Sequence, residues 1–197
     1  MFVLGIDPGL SRCGYGLVRS SAEALSTGAR DARSVSAPRA LHIEAAGVIT
    51  TDRQLSVQRR LAELFGELES LVCEFEPEVV VVERLFFQTN ARTAVSIGQA
   101  GGLALVVADR AGCEVAQYSA NEVKQVVAGY GAATKRQVQE MVARLLGLQA
   151  VPSPPDVADA LGLAICHLTR APMAAAVEAA SRCKSALAGA GLAGGLL

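Results

Sequence analysis

The fold of this chain is decided by its first strand and the turn that follows, residues 2–9, which read FVLGIDPG. A short apolar run followed by Asp-Pro-Gly is typical of a buried strand that ends in a tight turn. Residues 13–19, with glycines at positions 14 and 16, predict a second strand, and residues 41–50 predict a third. The chain therefore opens with a predicted three-stranded meander.

Strand and helix patterns alternate beyond this meander. Four consecutive valines, at positions 79–82, predict a central strand that is buried on both faces and ends at Glu83. Apolar spacing predicts the other elements, which are helices at 53–75 and 90–111, a strand at 113–118, and helices at 121–128, 135–146 and 155–170. This order predicts an α/β fold in which helices flank a five-stranded mixed sheet.

One domain and a tail are expected. Residues 20–39 are rich in Ser, Ala and Arg and have no apolar period, which indicates a long exposed loop between strands. From residue 171 onward the chain is rich in Ala and Gly. We therefore expect a single domain over residues 1–170 and a disordered tail over residues 171–197.

Composition limits the class of protein. The chain has 197 residues, of which 51% are hydrophobic, enough for one domain with a substantial core. Its 18 Lys and Arg against 19 Asp and Glu give a net charge of −1, which by itself counts against DNA binding. The five cysteines lie far apart without a C-x-x-C pair and support neither a disulfide framework nor a zinc site. With no signal-peptide or membrane-spanning pattern in the sequence, we expect a cytoplasmic protein without a membrane partner.

Four carboxylates stand at positions that need an explanation. Asp7 and Glu83 each end an apolar strand. Asp156 and Asp159 lie one turn apart at the start of an apolar helix. Asp7 could simply open an Asx turn, and Asp156 could form a capping box with Ser153. Glu83 is harder to explain in this way, because a carboxylate directly after four valines is costly to bury unless a positive group neutralises it.

Such clustered acids are stable when cations lie among them. Oxygen-only ligands favour Mg²⁺ or Mn²⁺, which share phosphate oxygens with a substrate. Two ions about 3.5 to 4 Å apart could hold both the attacking and the leaving oxygen of a phosphodiester displacement. The acids therefore indicate metal-assisted phosphodiester hydrolysis, provided that the fold brings them together.

Several motifs, taken together, are similar to those of one enzyme family. They are Leu4-Gly5-Ile6-Asp7-Pro8-Gly9 with Gly14-Tyr15-Gly16, Val82-Glu83-Arg84-Leu85-Phe86, Asn90 with Gly98-Gln99-Ala100, Val123-Lys124-Gln125, and Asp156-Val157-Ala158-Asp159-Ala160-Leu161. In this order, and over about residues 1–170, the chain closely resembles the RuvC family of Holliday-junction resolvases.

The resemblance implies a ribonuclease H-like fold and a homodimeric endonuclease. Such an enzyme makes paired, symmetric nicks in four-way (Holliday) DNA junctions during homologous recombination and DNA repair, in association with the RuvA–RuvB branch-migration complex. The resemblance also implies that four acids bind two Mg²⁺ ions in each active site, with Mn²⁺ able to substitute; these acids are Asp7, Glu83, Asp156 and Asp159. A two-fold junction that is cut symmetrically needs two equivalent sites, which a dimer provides.

Contacts with DNA also follow from the resemblance. Lys124 and Lys135 match basic positions close to DNA, with phosphate contact as the expected role. Most lysines in proteins, however, simply lie on a solvated helix face. Phe86 matches a position that stacks on an unpaired base, and Arg84 and Asn90 could line the same groove.

Three other functions remain open from the sequence. A hydrolase of RNA–DNA hybrids would share the fold, but residues 83–86 and the paired aspartates match the resolvase pattern better. A sugar-kinase-like ATPase would need about twice this length for its two domains. A junction-binding protein without catalysis would do better with neutral residues than with four acids near a polyanion.

The net charge of −1 is unevenly distributed along the chain, and this weakens it as an argument against DNA binding. Six glutamates lie on or just after the helix predicted at 53–75, and no Lys or Arg lies between positions 61 and 83. We expect this acidic face to point away from DNA, and the four clustered acids to be neutralised by bound cations. The remaining groove is modestly basic, so DNA binding should depend strongly on salt and on divalent ions.

Overall fold

A five-stranded mixed sheet lies at the centre of the computed structural model, which describes residues 1–21, 40–84 and 91–172, with the backbone alone at 91–93. The strands are β1 (Phe2–Asp7), β2 (Arg12–Ser21), β3 (Ala40–Thr50), β4 (Val79–Glu83) and β5 (Glu114–Tyr118). Their order is β3-β2-β1-β4-β5; β2 is antiparallel to both β1 and β3, and β4 and β5 run parallel to β1. The predicted meander, central valine strand and mixed sheet are confirmed.

Five helices flank the sheet in the described ranges. They are α1 (Val57–Phe75), α2 (Ala91–Arg110), α3 (Ala120–Val127), α4 (Lys135–Leu145) and α5, which spans residues 155–172. Helix α1 begins at residue 57 rather than 53, since Asp52 accepts hydrogen bonds from the backbone of Gln54 and Leu55 in a turn before the helix. In these same ranges, no helix combines the length and the apolar content needed to cross a membrane.

Two predicted segments fall largely outside the described residues. Strand β2 continues to Ser21, so the loop predicted at 20–39 starts later than expected, and residues 22–39 are not described. Helix α5 continues through residues 171 and 172, which were assigned to the tail. The rest of that predicted tail, residues 173–197, lies outside the described part of the chain.

The helices pack on both faces of the sheet. On one face, a core that includes Leu4 and Val80 packs against α1 and α2. On the other face, a core that includes Val3 and Val81 packs against α3, α4 and α5. Since side chains alternate between the two faces of a strand, the odd-numbered positions of β1 and β4 face α5. The acidic helix α1 lies on the opposite side of the sheet.

Glycines allow α5 to lie directly against the sheet. A Cβ atom at Gly5 of β1 would overlap the carbonyl oxygen of Ala160, and one at Gly14 of β2 would overlap that of Asp156. Such close approach of two backbones requires a residue without a side chain. Because Gly14 pairs with Asp7 in the β1–β2 register, the first turn of α5 is held beside the end of β1.

Candidate active site

Two carboxylates meet at the carboxyl ends of neighbouring strands. β1 and β4 are parallel, and their last paired positions are Ile6 and Val82. Asp7 and Glu83 follow directly on the two strands. Both occupy odd-numbered positions, so both project from the sheet face that α5 covers. The alternation within each strand therefore explains why these two acids share one side of the sheet.

Asp7, Glu83 and Asp159 line one cavity of about 330 Å³. Helices α3, α4 and α5 supply the rest of its wall, which comprises Ala120, Val123, Lys124, Lys135, Val138 and Leu163. Asp156, in the first turn of α5, lies close enough for its charge to help raise the pKa of Asp7. The structure thus brings together the four acids and the two lysines that the sequence singled out.

The acids disturb one another electrostatically. Burial, followed by the negative charges of Glu83 and Asp159, raises the pKa of Asp7 from 3.8 to about 7. Burial and Asp159 also raise the pKa of Glu83. The positive charge of Lys135 partly offsets both shifts. Burial and like charge therefore outweigh the opposing charge of Lys135 at both Asp7 and Glu83.

Two of the four acids are held by basic side chains. Lys135 Nζ is 2.6 Å from a carboxylate oxygen of Asp159. The Arg12 guanidinium, at the start of β2, donates a hydrogen bond to the Asp156 carboxylate. Asp156 thus forms an ion pair with Arg12 of the sheet. The alternative that the sequence left open was a capping box between Asp156 and Ser153. Sequence reasoning missed Arg12, since its acidic partner lies 144 positions away.

The chemistry of the cluster suits a divalent cation. Mg²⁺ and Mn²⁺ take carboxylate oxygens as ligands. Burial, followed by the nearby negative charges, raises the pKa of Asp7, and a cation at this place would offset both effects. Within the described ranges, the side chains as they stand form no group of three or more His, Cys, Asp or Glu that could hold a metal ion. Arg12 and Lys135 each engage one oxygen of these carboxylates, so a cation bound there would compete with them for the negative charge.

Lys135 reaches the acids because of where α4 begins. Thr134 caps this helix in a reciprocal capping box with Gln137. Lys135 is the first residue of the helix and is thereby placed beside Asp159. Burial lowers the pKa of Lys135, but the hydrogen bond and the charge of Asp159 more than offset this and raise it, so the lysine stays charged.

Glu122 of α3 joins three elements around the cavity. It accepts hydrogen bonds from Arg84 and Arg170, each 2.7 Å long, and forms the capping box of α3 with Ser119. The hydrogen bond from the Ser119 backbone, followed by that from Arg170, lowers the pKa of Glu122 to about 2. The Ser-x-x-Glu pattern in the sequence could have indicated this helix cap. It could not have indicated that the two arginines also bind Glu122. Arg84, a predicted DNA contact, is thus held beside the helix that carries Lys124.

The remaining predicted contacts with DNA, Phe86 and Asn90, lie outside the described residues. Further along α5, His167 is buried, and its Nδ1 is 3.0 Å from the hydroxyl oxygen of Tyr118. Burial lowers the pKa of His167, which keeps the ring neutral. This histidine packs against β5 and does not line the cavity.

Comparison with known proteins identifies the family. The family model described as crossover junction endodeoxyribonuclease RuvC matches residues 3–167. The chain belongs to the RuvC family. A relative of that name from Syntrophomonas wolfei is 44% identical over 168 residues, which cover 85% of this chain and 88% of the relative. The RuvC match spans β1 to α5 and includes all four acids.

Two solved RuvC structures from Thermus thermophilus share this tertiary structure. The first is 33% identical in sequence, with a TM-score of 0.76, and the match covers 88% of this chain and 97% of the Thermus thermophilus chain. The other, in complex with Holliday junction substrate, has a TM-score of 0.73 and 31% identity and covers 88% and 96%. The ribonuclease H-like fold implied by the sequence is therefore confirmed. RuvC proteins are endodeoxyribonucleases that depend on divalent metal ions, so the predicted enzyme class is confirmed as well.

Proposed function

We propose that this chain resolves four-way DNA junctions by paired, symmetric nicks, through metal-assisted phosphodiester hydrolysis in homologous recombination and DNA repair. One observation carries the proposal: Asp7, Glu83 and Asp159 converge around a cavity whose wall also includes Lys124 and Lys135. Such a cavity can bind cations and a phosphate group at the same place. Membership of the RuvC family supports junction DNA as the substrate.

The four acids are proposed to hold two Mg²⁺ ions in each active site, with Mn²⁺ able to substitute. Asp7 would be one of these ligands, and its pKa is raised first by burial and then by the charges of the other three acids, so a bound cation would favour its charged form. When bound, the ions would lower the pKa of the attacking water and stabilise the leaving oxygen. The protein's part is to hold the carboxylates in place on rigid strand ends and on the first turns of α5.

Lys124 and Lys135 are proposed to contact the DNA backbone. Both line the cavity, and Lys135 remains charged beside the acids. An ammonium group near the scissile phosphate stabilises the negative charge that develops during hydrolysis. Arg84, Phe86 and Asn90 remain predicted DNA contacts, of which only Arg84 lies within the described residues.

A homodimer formed through the exposed face of α2 is proposed as the active species. Val95 and Val106 are more than half exposed, at 60% and 51%. Gly98 and Gly102 lie on the same helical face, with open space beyond them. Exposed valines flanking two glycines permit close packing against a second copy of α2. A two-fold dimer would present two active sites to a two-fold junction.

The RuvA–RuvB branch-migration complex is the proposed partner, and the cytoplasm is the proposed location. Membership of the RuvC family supports the proposed partner. The four described cysteines, Cys13, Cys73, Cys113 and Cys166, are free thiols. Free thiols agree with a reducing compartment.

A nicking assay on a synthetic four-way junction tests this function. With Mg²⁺ present, we expect paired nicks at symmetric positions and little cutting of linear duplex or RNA–DNA hybrid. Asp7→Asn is the matched control, which should bind the junction but leave it intact, since an amide cannot replace the second anionic oxygen. Junction binding without cleavage by the wild type, or equal cutting of all three substrates, would contradict the proposal.

A further inference from the structure

Arg12 stands at the start of β2 and meets an acid of the candidate active site. Its guanidinium donates a hydrogen bond to Asp156 in the first turn of α5. The same turn of α5 packs against Gly14, which pairs with Asp7 in the sheet. The Arg12 contact therefore lies directly beside the end of β1, where the acids gather.

The two acids of α5 have one basic partner each. Arg12 pairs with Asp156. One turn further along, Asp159 pairs with Lys135. The other two acids of the cluster form no ion pair within the residues that the structure describes. Two of the four negative charges are thus neutralised by the chain's own cations.

The Arg12 pair is built so that it can open. The side chain of Arg12 is 43% exposed and that of Asp156 is 25% exposed, so water and salt screen their attraction. A divalent cation brings twice the charge to the same carboxylate. Arg12 can move into solvent without unpacking either core, because it belongs to neither.

We propose that Arg12 is an internal counter-ion that competes with the divalent metal ion for Asp156 and thereby weakens metal binding. The inference rests on the proposed function, since it takes Asp156 as a metal ligand. Without metal, Arg12 relieves repulsion within the acidic cluster; when metal binds, Arg12 is released. Arg12 is a positioning residue, which acts through Asp156.

Calorimetric titration of Mn²⁺ into the DNA-free, full-length protein tests this role. Arg12→Gln should bind Mn²⁺ about two- to fivefold more tightly than the wild type, the range that a partly exposed ion pair provides. Arg12→Lys keeps the charge and should remain close to the wild type. Arg136→Gln is the matched control, because Arg136 lies next to Lys135 but pairs with Glu140 on the surface of α4. It should bind Mn²⁺ as the wild type does.

Salt and thermal unfolding provide readouts that a purely structural role would not change. The tighter binding by Arg12→Gln should shrink as salt rises, since salt screens the competing pair. Without metal, Arg12→Gln should unfold at a lower temperature than the wild type, and saturating Mn²⁺ should narrow that difference. A difference that Mn²⁺ leaves unchanged would overturn the counter-ion role.

The outcomes separate this inference from the proposed function. Equal or weaker Mn²⁺ binding by Arg12→Gln, with normal binding by the wild type, overturns the role of Arg12 and leaves the metal site standing. If the wild type takes up no Mn²⁺, the proposed metal site fails, and the role of Arg12 fails with it.

Discussion

The Lys135 ammonium group lies 2.6 Å from the carboxylate of Asp159. This ion pair joins the start of α4 to α5, and both residues line the same cavity. A lysine that the sequence assigned to DNA is therefore also the counter-ion of a candidate metal ligand. If Asp159 binds a metal ion as proposed, the Lys135 ammonium group would become available to a phosphate of the DNA.

Replacing Lys135 with glutamine is expected to slow junction cleavage by about 100-fold or more, because a positive group is lost where charge develops. Junction binding should weaken by less than about tenfold, the loss of one phosphate contact among many. Single-turnover cleavage and equilibrium binding measure the two effects separately. Arg136→Gln should change neither one strongly, since Arg136 pairs with Glu140 on the exposed face of α4. Equal losses in rate and binding would argue against a role in the reaction.

Gly14→Ala is expected to destabilise the fold by about 1 to 3 kcal/mol, because the added Cβ would overlap the backbone of Asp156. Pushing α5 away from the sheet should also separate its acids from Asp7, so cleavage should fall even where the variant stays folded. Urea unfolding and cleavage by the folded protein are the measurements. Gly66→Ala on α1 is the control, since a Cβ there meets nothing within 4 Å. Wild-type stability in Gly14→Ala would contradict the packing described.

Val106→Glu is expected to convert the proposed dimer into a monomer, because it places a charge in the apolar face of α2. Sedimentation equilibrium measures the mass, and the junction assay should show loss of paired nicks. Val57→Glu on α1 is the matched control, since Val57 is 47% exposed and Val106 is 51% exposed. A wild type that is monomeric, or a Val106→Glu variant that stays dimeric, would exclude this interface.

Acidification is expected to destabilise the fold through His167. Burial lowers the pKa of His167 below its ordinary value of 6.5, although the charge of Glu114 opposes the shift. As pH falls below 6.5, the unfolded chain takes up the proton first, so the stability contributed by the neutral ring is full above that pH and is lost as pH falls toward the lower folded value.

Denaturant unfolding of the wild type and of His167→Gln at about pH 7.5 and about pH 5.5 measures this contribution. The wild type should lose more stability than the variant between the two conditions. The His167 ring packs beside Tyr118, and the Arg170 guanidinium lies over the other ring, that of Tyr118. A proton on His167 would therefore add a positive charge close to the positive charge of Arg170. The same loss in both proteins would show that His167 has the same pKa in the folded and unfolded states, which would contradict the shift caused by burial.

Local patterns were enough to predict the architecture. Alternating and continuous apolar residues identified the strands, and the Asp-Pro-Gly turn after β1 identified the meander. The exceptions are at element ends, such as the start of α1, where Asp52 stabilises a turn that apolar spacing cannot register. The four acids could be found because a carboxylate after an apolar strand, or at the start of an apolar helix, is locally conspicuous.

The partners of those acids could not be found in the same way. Arg12 and Asp156 lie 144 positions apart, and Glu122 and Arg170 lie 48 apart. An exposed arginine or glutamate carries no local signal of what it will meet. Such pairs depend on how α3, α4 and α5 lie against the sheet, which in turn depends on the close approach that Gly5 and Gly14 allow.

Local sequence patterns were therefore sufficient to predict the strands and helices, the family, and the carboxylates of the candidate site. Which cation pairs with which acid became known only from the packing of the helices on the sheet. The physical reason is one of range: strand and helix patterns arise between neighbours in the chain, whereas an ion pair requires distant elements to place two charges within 4 Å of each other.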